Sequence, residues 1–186
     1  ADSNDAIFES GTGAHFKRDG TLSAKVLVVD DILANRKLLQ AKLSHEYFEV
    51  ITASNGKEAI EAAREHSPDI ILLDVMMPVM DGFEACEILK SDQRTQHIPI
   101  VMVTALGDRE HRLKGLSAGA DDFLTKPVDD FALLSRVRAL TKYKLVMDEL
   151  RSREASGRRM GVIEGDDPNG QMSPARILIV DDNERQ

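Results

Sequence analysis

Short apolar runs that end on a polar residue recur along this chain, and they constrain its fold more than any other feature. Val26-Leu27-Val28-Val29 is apolar on both faces and closes on Asp30-Asp31, the pattern of a central parallel strand. Phe48 to Thr52, Asp69 to Asp74, Ile100 to Val103 and Asp122 to Leu124 read as further strands. Helical segments alternate with them: Leu33 to Ser44 with Leu38, Leu39 and Leu43 on one broad face, and a helix capped by Asn55 and running through His66 with Ala59, Ile60 and Ala63 inward. Phe83 to Lys90 and Arg109 to Ala118 follow, the latter stopped by Gly119. The last helix starts near Asp129 or Asp130. Five strand–helix units with these spacings fit right-handed crossovers and predict an α/β fold: a doubly wound, five-stranded parallel sheet covered on both faces. A closed eight-unit barrel needs more chain.

The final helical pattern outruns a compact domain. Leu133, Val137, Leu140 and Met147 recur at helical steps with Tyr143, Val146 and Leu150 close by, which extends the helix through Leu150 and toward Ala155. The layout expected is a flexible or tag-like leader over 1–22, a main domain over 23–150, a helix end and linker over 151–174, and a terminal strand over 175–186. That strand, Ala175-Arg176-Ile177-Leu178-Ile179-Val180-Asp181-Asp182, repeats Ala24 to Asp31 with identical or conservative residues, and a single strand cannot bury its faces alone. It predicts a second domain of the same type; a chance apolar segment packing on the first is the alternative.

In an open α/β sheet, sites form beyond the carboxyl ends of the strands. Asp30 and Asp31 end the first strand, Asp74 the third and Thr104 the fourth, and Lys126 follows the fifth. Strand order 2-1-3-4-5 brings these residues to one rim. Three close carboxylates favour a bound cation, and an all-oxygen ligand set suits Mg2+ rather than zinc. Aspartate can act as a nucleophile through an acyl phosphate, Lys126 offers a mobile positive charge, and Thr104 offers a hydroxyl donor. Taken singly, these residues are ordinary turn formers and surface groups; it is their combination at successive strand ends that points to chemistry.

Charge and cysteine content narrow the classes. With 32 acidic against 24 basic residues the formal net charge is -8, which disfavours a general nucleic-acid binder. One cysteine, Cys86, precludes an intrachain disulfide and fits a reducing, cytoplasmic setting. No apolar run approaches the roughly 18 residues of a membrane span.

Val28-Val29-Asp30-Asp31, Leu72-Leu73-Asp74-Val75-Met76-Met77-Pro78, Met80-Asp81-Gly82, Val103-Thr104-Ala105 and Lys126-Pro127 together resemble the CheY-like receiver domain of two-component response regulators, over about Ala24 to Leu140. The resemblance implies a flavodoxin-like receiver fold. It makes Asp74 the phospho-acceptor, with Mg2+ held by Asp31, Asp74 and the backbone carbonyl of Met76, and by Asp30 directly or through water. Thr104 and Lys126 would bind the phosphoryl group, a cis peptide before Pro127 would aim Lys126 inward, and Thr104 with Phe123 would form the switch. Phe123 lacks the hydroxyl many members carry, so only ring reorientation is available to it.

The extended helix, the stretch Asp148-Glu149-Leu150-Arg151 through Arg158-Arg159-Met160-Gly161 and the restart at Arg176 also resemble the first receiver of PleD-type response regulators. Those carry two receivers and a GGDEF diguanylate cyclase domain. The resemblance implies a sensor histidine kinase or phosphotransfer protein as donor, and homodimerisation on phosphorylation that controls the cyclase. The dimer expectation rests on Val137, Leu140 and Met147 as an exposed stripe, with Arg136, Arg138, Lys142, Lys144, Asp148 and Glu149 as its polar rim. No GGDEF segment occurs in these residues, so this chain by itself is a phospho-acceptor with at most slow autodephosphorylation. A stand-alone or adaptor phosphorelay module is the alternative. An Asp-dependent hydrolase is disfavoured, because Met76 stands where such enzymes need a general-acid Asp.

Overall fold

The computed structural model describes residues 8–9, 15–16, 22–105 and 109–159. Its central sheet has five strands: β1 Lys25–Val29, β2 Glu49–Ala53, β3 Ile70–Asp74, β4 Ile100–Thr104 and β5 Asp122–Thr125. All pairings are parallel and the spatial order is β2-β1-β3-β4-β5, the predicted 2-1-3-4-5. The helices between and after them are α1 Leu33–His45, α2 Gly56–His66, α3 Gly82–Ser91, α4 Arg109–Ser117 and α5 Asp130–Arg159. Three two-residue pieces before β1, Phe8–Glu9, His15–Phe16 and Leu22–Ser23, pair antiparallel as a small separate sheet. The repeated strand at Ala175 to Asp182 and most of the expected linker lie outside the described residues.

The sheet divides the core in two by strand alternation. Leu27, Val29, Ile71, Leu73, Ile100 and Met102 face α2, α3 and α4, where Ala59, Ile60, Ala63, Phe83, Ala85, Cys86 and Leu89 are buried. Val26, Val28, Ile70, Leu72, Val101 and Val103 face α1 and α5 through Leu39, Leu43, Leu133 and Val137. Strands buried on both faces explain why the sequence shows continuous apolar runs instead of alternation.

Local chemistry sets the helix starts. The Asn55 side chain accepts from the Glu58 backbone N–H at 3.0 Å, while the Glu58 carboxylate accepts from Ser54 N at 2.8 Å; this reciprocal cap draws the Glu58 pKa down, chiefly through the Ser54 hydroxyl. Asp81 caps α3 by accepting from Glu84 N at 2.9 Å. Gly119, at φ +91°, ends α4 as expected.

Two packing expectations need correction. Leu38 is exposed while Leu39 and Leu43 are buried, because residues four apart share a helix row and the neighbouring Leu38 is turned off it. Val137 is fully buried on the sheet and Leu140 packs partly against the same cluster, so neither belongs to an open stripe. The exposed apolar residues of α5 after Thr141 are instead Tyr143, Val146, Met147 and Leu150, spaced i, i+3, i+4, i+7. The supposed polar rim is largely committed within the chain: Arg136 pairs with Asp122, Arg138 with Glu46, and Lys144 with Asp69 and Asp148. The helix also runs on past Ala155 through Gly157, whose propensity cost of about 1 kcal/mol does not end it.

Candidate phospho-acceptor site

Parallel pairing sets the carboxyl ends of β1, β3 and β4 side by side. Val29 is level with Leu73, and Asp74 with Val103. One residue further on, Asp30 and Asp31 leave β1 next to Asp74, and the three side chains each offer an oxygen within 4.8 Å of the others. Asp30 and Asp74 are buried, whereas Asp31 is exposed at the mouth.

Lys126 reaches this cluster from the loop after β5. Its Nζ donates to Asp30 Oδ2 at 2.7 Å and to Asp74 Oδ2 at 2.8 Å, and its backbone N–H donates to the Thr104 carbonyl at 2.8 Å. The Lys126–Pro127 peptide is cis. Burial alone would lower the Lys126 pKa, but the hydrogen bonds to Asp30 and Asp74 outweigh it and hold the ammonium above its ordinary value. Asp74 goes the other way from an ordinary ion-paired acid. Burial pushes its pKa up, Asp30 adds to that push, and Lys126 and the Met76 backbone N–H oppose it without winning. A carboxylate kept in so costly an ionised state gains from any added cation.

The donor set fits a hard divalent ion: three carboxylates with no sulfur or imidazole among them. A bound Mg2+ would supply charge neutralisation for phosphoryl transfer. Thr104 closes β4, is buried, and stands level with Thr125 of β5. The Met76 side chain is exposed beside the site. Phe123 is half-buried, with its ring against α4: a Cβ built on Gly115 would come within 2.7 Å of that ring. Thus Asp30, Asp31, Asp74 and Lys126 converge, Thr104 joins Lys126 through the backbone, and Phe123 lies under α4, on the strand that leads to Lys126.

Two features went unseen in the sequence reading. Gly82 lies so close to β3 that a Cβ there would sit 2.2 Å from the Asp74 carbonyl oxygen, and its N–H donates to Val75 O at 2.9 Å. The Met80-Asp81-Gly82 motif was the available signal. Asn35 and Arg36 both bond to Asp30, and nothing in their spacing had announced it.

Residues 26–138 match the response regulator receiver domain family, and this chain belongs to that family. It is 61% identical over 165 residues to the response regulator PleD of Caulobacter vibrioides, covering 89% of this chain and 36% of that protein. It is 42% identical over 118 residues to a probable transcriptional regulator ycf27 of Guillardia theta, covering 63% of this chain and 45% of that one. The chain therefore spans less than half the length of these relatives. Among solved structures, the Vibrio cholerae chemotaxis protein CheY4 superposes with a TM-score of 0.61 at 35% identity, covering 63% of this chain and 98% of that one. A beryllofluoride-activated DrrB receiver domain gives 0.58 at 33% identity, with 64% and 98% coverage. No helix among the described residues is long and apolar enough to cross a membrane.

Proposed function

We propose that this chain is the phospho-accepting module of a PleD-type response regulator, with Asp74 as the acceptor. The observation that carries this is Asp74 itself: a buried carboxylate, raised in pKa, beside two further aspartates and bonded to Lys126. An Asp74 oxygen attacks the phosphorus of a phosphohistidine on a sensor kinase or phosphotransfer protein. The new P–O bond forms as the P–N bond breaks, and the electron pair returns to the imidazole. Asp31, Asp74 and the Met76 carbonyl would hold Mg2+, with Asp30 joining directly or through water, and the ion would supply charge neutralisation for the transfer. Lys126 turns from Asp74 to the transferred group, and Thr104 donates its hydroxyl there. Drawing Thr104 toward Asp74 frees space for Phe123 to reorient, which changes the α4–β5–α5 face.

On this reading 1–22 is a leader, 23–150 the receiver, 151–174 helix end and linker, and 175–186 the first strand of a second receiver, all in the cytoplasm. Phosphorylation favours a homodimer that brings two GGDEF cyclase domains of the parent protein together. Tyr143, Val146, Met147 and Leu150 supply an apolar stripe for such an association. Making a 1:99 dimer-competent population dominant takes on the order of 5.5 kcal/mol of coupling.

Incubation with Mg2+ and acetyl phosphate should add one phosphoryl group by intact mass, and Asp74→Asn should abolish it. Undiminished labelling of that variant would remove Asp74 from the role. Sedimentation across a concentration series, with and without beryllofluoride, tests the dimer: a monomer in both states, with Asp74 shown to be occupied, would defeat it.

A further inference from the structure

Asp30 is held more completely than a strand-end aspartate requires. Its Oδ1 accepts from the Ile32 backbone N–H at 2.8 Å and from Asn35 Nδ2 at 3.1 Å, and its Oδ2 accepts from Asn35 Nδ2 at 3.1 Å and from Lys126 Nζ at 2.7 Å. The Arg36 guanidinium donates to its backbone carbonyl. Each oxygen therefore accepts two hydrogen bonds, and only the one from Lys126 comes from a long, mobile side chain that can give up its place to a cation. Only Asn35 touches both oxygens, and it therefore fixes the plane of the carboxylate. Asn35 sits in the first turn of α1, and its amide nitrogen donates to both oxygens of Asp30.

We infer that Asn35 is a positioning residue that sets cation affinity and cation choice at this site by pinning the Asp30 carboxylate. This rests on the reading of the three aspartates as a metal site, and goes beyond it in assigning a role to a residue outside the ligand set. Mg2+ demands near-octahedral geometry at short distances and keeps several waters, whereas Ca2+ accepts more oxygens, longer bonds and two-oxygen carboxylate ligation. A pinned Asp30 cannot swing round to offer both oxygens to a larger ion. Freed from Asn35, it can, and the site loses the rigidity that Mg2+ requires.

The test is calorimetric titration of Mg2+ and, separately, Ca2+ into the full chain and into Asn35→Ala, Asn35→Leu and Asn35→Ser, with thermal melting to confirm folding. Removing the donor in Ala or Leu should weaken Mg2+ binding by about 10-fold or more, the range for outer-shell partners of metal ligands. Ca2+ binding should fall less, so the Mg2+/Ca2+ affinity ratio drops. Ser, which keeps one donor, should lie between. A merely structural role would lower melting and leave the ratio alone. Mg2+ affinity within twofold of the parent in the folded variants, or an unchanged ratio, overturns the inference. Failure of the parent, as well as the variants, to bind Mg2+ would instead strike the metal-site reading itself, and Asp31→Asn serves as the control that separates the two.

Discussion

Lys144 of α5 donates to Asp69 Oδ1 at 3.1 Å, at the amino-terminal edge of the sheet, one strand length from the Asp74 site. The other Asp69 oxygen accepts from the Lys25 backbone N–H at 2.8 Å, so a single carboxylate ties the start of β1 to α5. Lys144 also donates to Asp148 at 2.9 Å, one turn further along α5. Burial alone would lower the Lys144 pKa; the bond to Asp148 and the charges of Asp69 and Asp148 raise it instead. The same ammonium acts with burial to depress the pKa of His97.

Removing this tie should destabilise the receiver. Asp69→Ala strands the Lys25 N–H and leaves Lys144 with Asp148 alone, and is expected to cost about 1–3 kcal/mol in urea unfolding. Asp69→Asn keeps an acceptor for Lys25 and should cost less. Because the folded-state pKa of Lys144 lies above its unfolded value of 10.5, its contribution is full below pH 10.5 and fades as pH rises through the folded value. Lys144→Met should therefore show a smaller loss of stability between pH 10 and pH 12 than the parent. Identical alkaline profiles would remove Lys144 from the tie.

Gly82→Ala tests the closest backbone approach at the site. A Cβ within 2.2 Å of the Asp74 carbonyl must push β3 and the α3 start apart. The expected result is a loss of roughly 2 kcal/mol or more in stability, together with slower labelling by acetyl phosphate. A variant that melts with the parent would show that the α3 start gives way freely.

Asp74→Asn should be more stable than the parent in metal-free buffer near neutral pH, by about 2–5 °C in melting temperature. Burial raises the folded-state pKa of Asp74 above 3.8, so the folded chain holds this proton more tightly than the unfolded chain. Its contribution is therefore greatest below the unfolded value and is lost as pH rises through the folded one. Asparagine does not titrate, so the advantage of the variant should open as pH climbs from about 3.8. Saturating Mg2+ should shrink the gap, since a ligand at a hundredfold its Kd adds about 2.7 kcal/mol to the state that binds it. Melting curves over pH, with chelator or with Mg2+, measure both effects.

Gly115→Ala should displace the Phe123 ring, because a Cβ on α4 meets it at 2.7 Å and meets the Met102 sulfur at 2.8 Å. The expected signature is a shift of the Phe123 ring resonances, with acetyl phosphate labelling of Asp74 retained and the response to beryllofluoride altered. Unmoved ring resonances would mean that α4 shifts instead.

The sequence by itself determined the sheet, its order, and the rim on which the aspartates meet. Runs such as Ile70 to Leu73, buried on both faces, admit few environments other than a central parallel strand, and crossover handedness fixes how successive strands add. Asp30, Asp31, Asp74, Thr104 and Lys126 were legible because each stands at or just after a strand end, a position that periodicity defines. What periodicity cannot supply is which helix faces remain open, because that depends on contacts between residues far apart in the chain. Val137 and Met147 look alike in an apolar stripe, yet one is fully buried against β-strand valines and leucines and the other is exposed. The pairings of Lys144 with Asp69 across 75 positions and of Lys126 with Asp30 across 96, and the clasp of Asn35 on Asp30, exist only once the sheet and its helices have packed. Charged side chains are long and adaptable, so their partners are chosen by tertiary proximity, which local sequence does not encode.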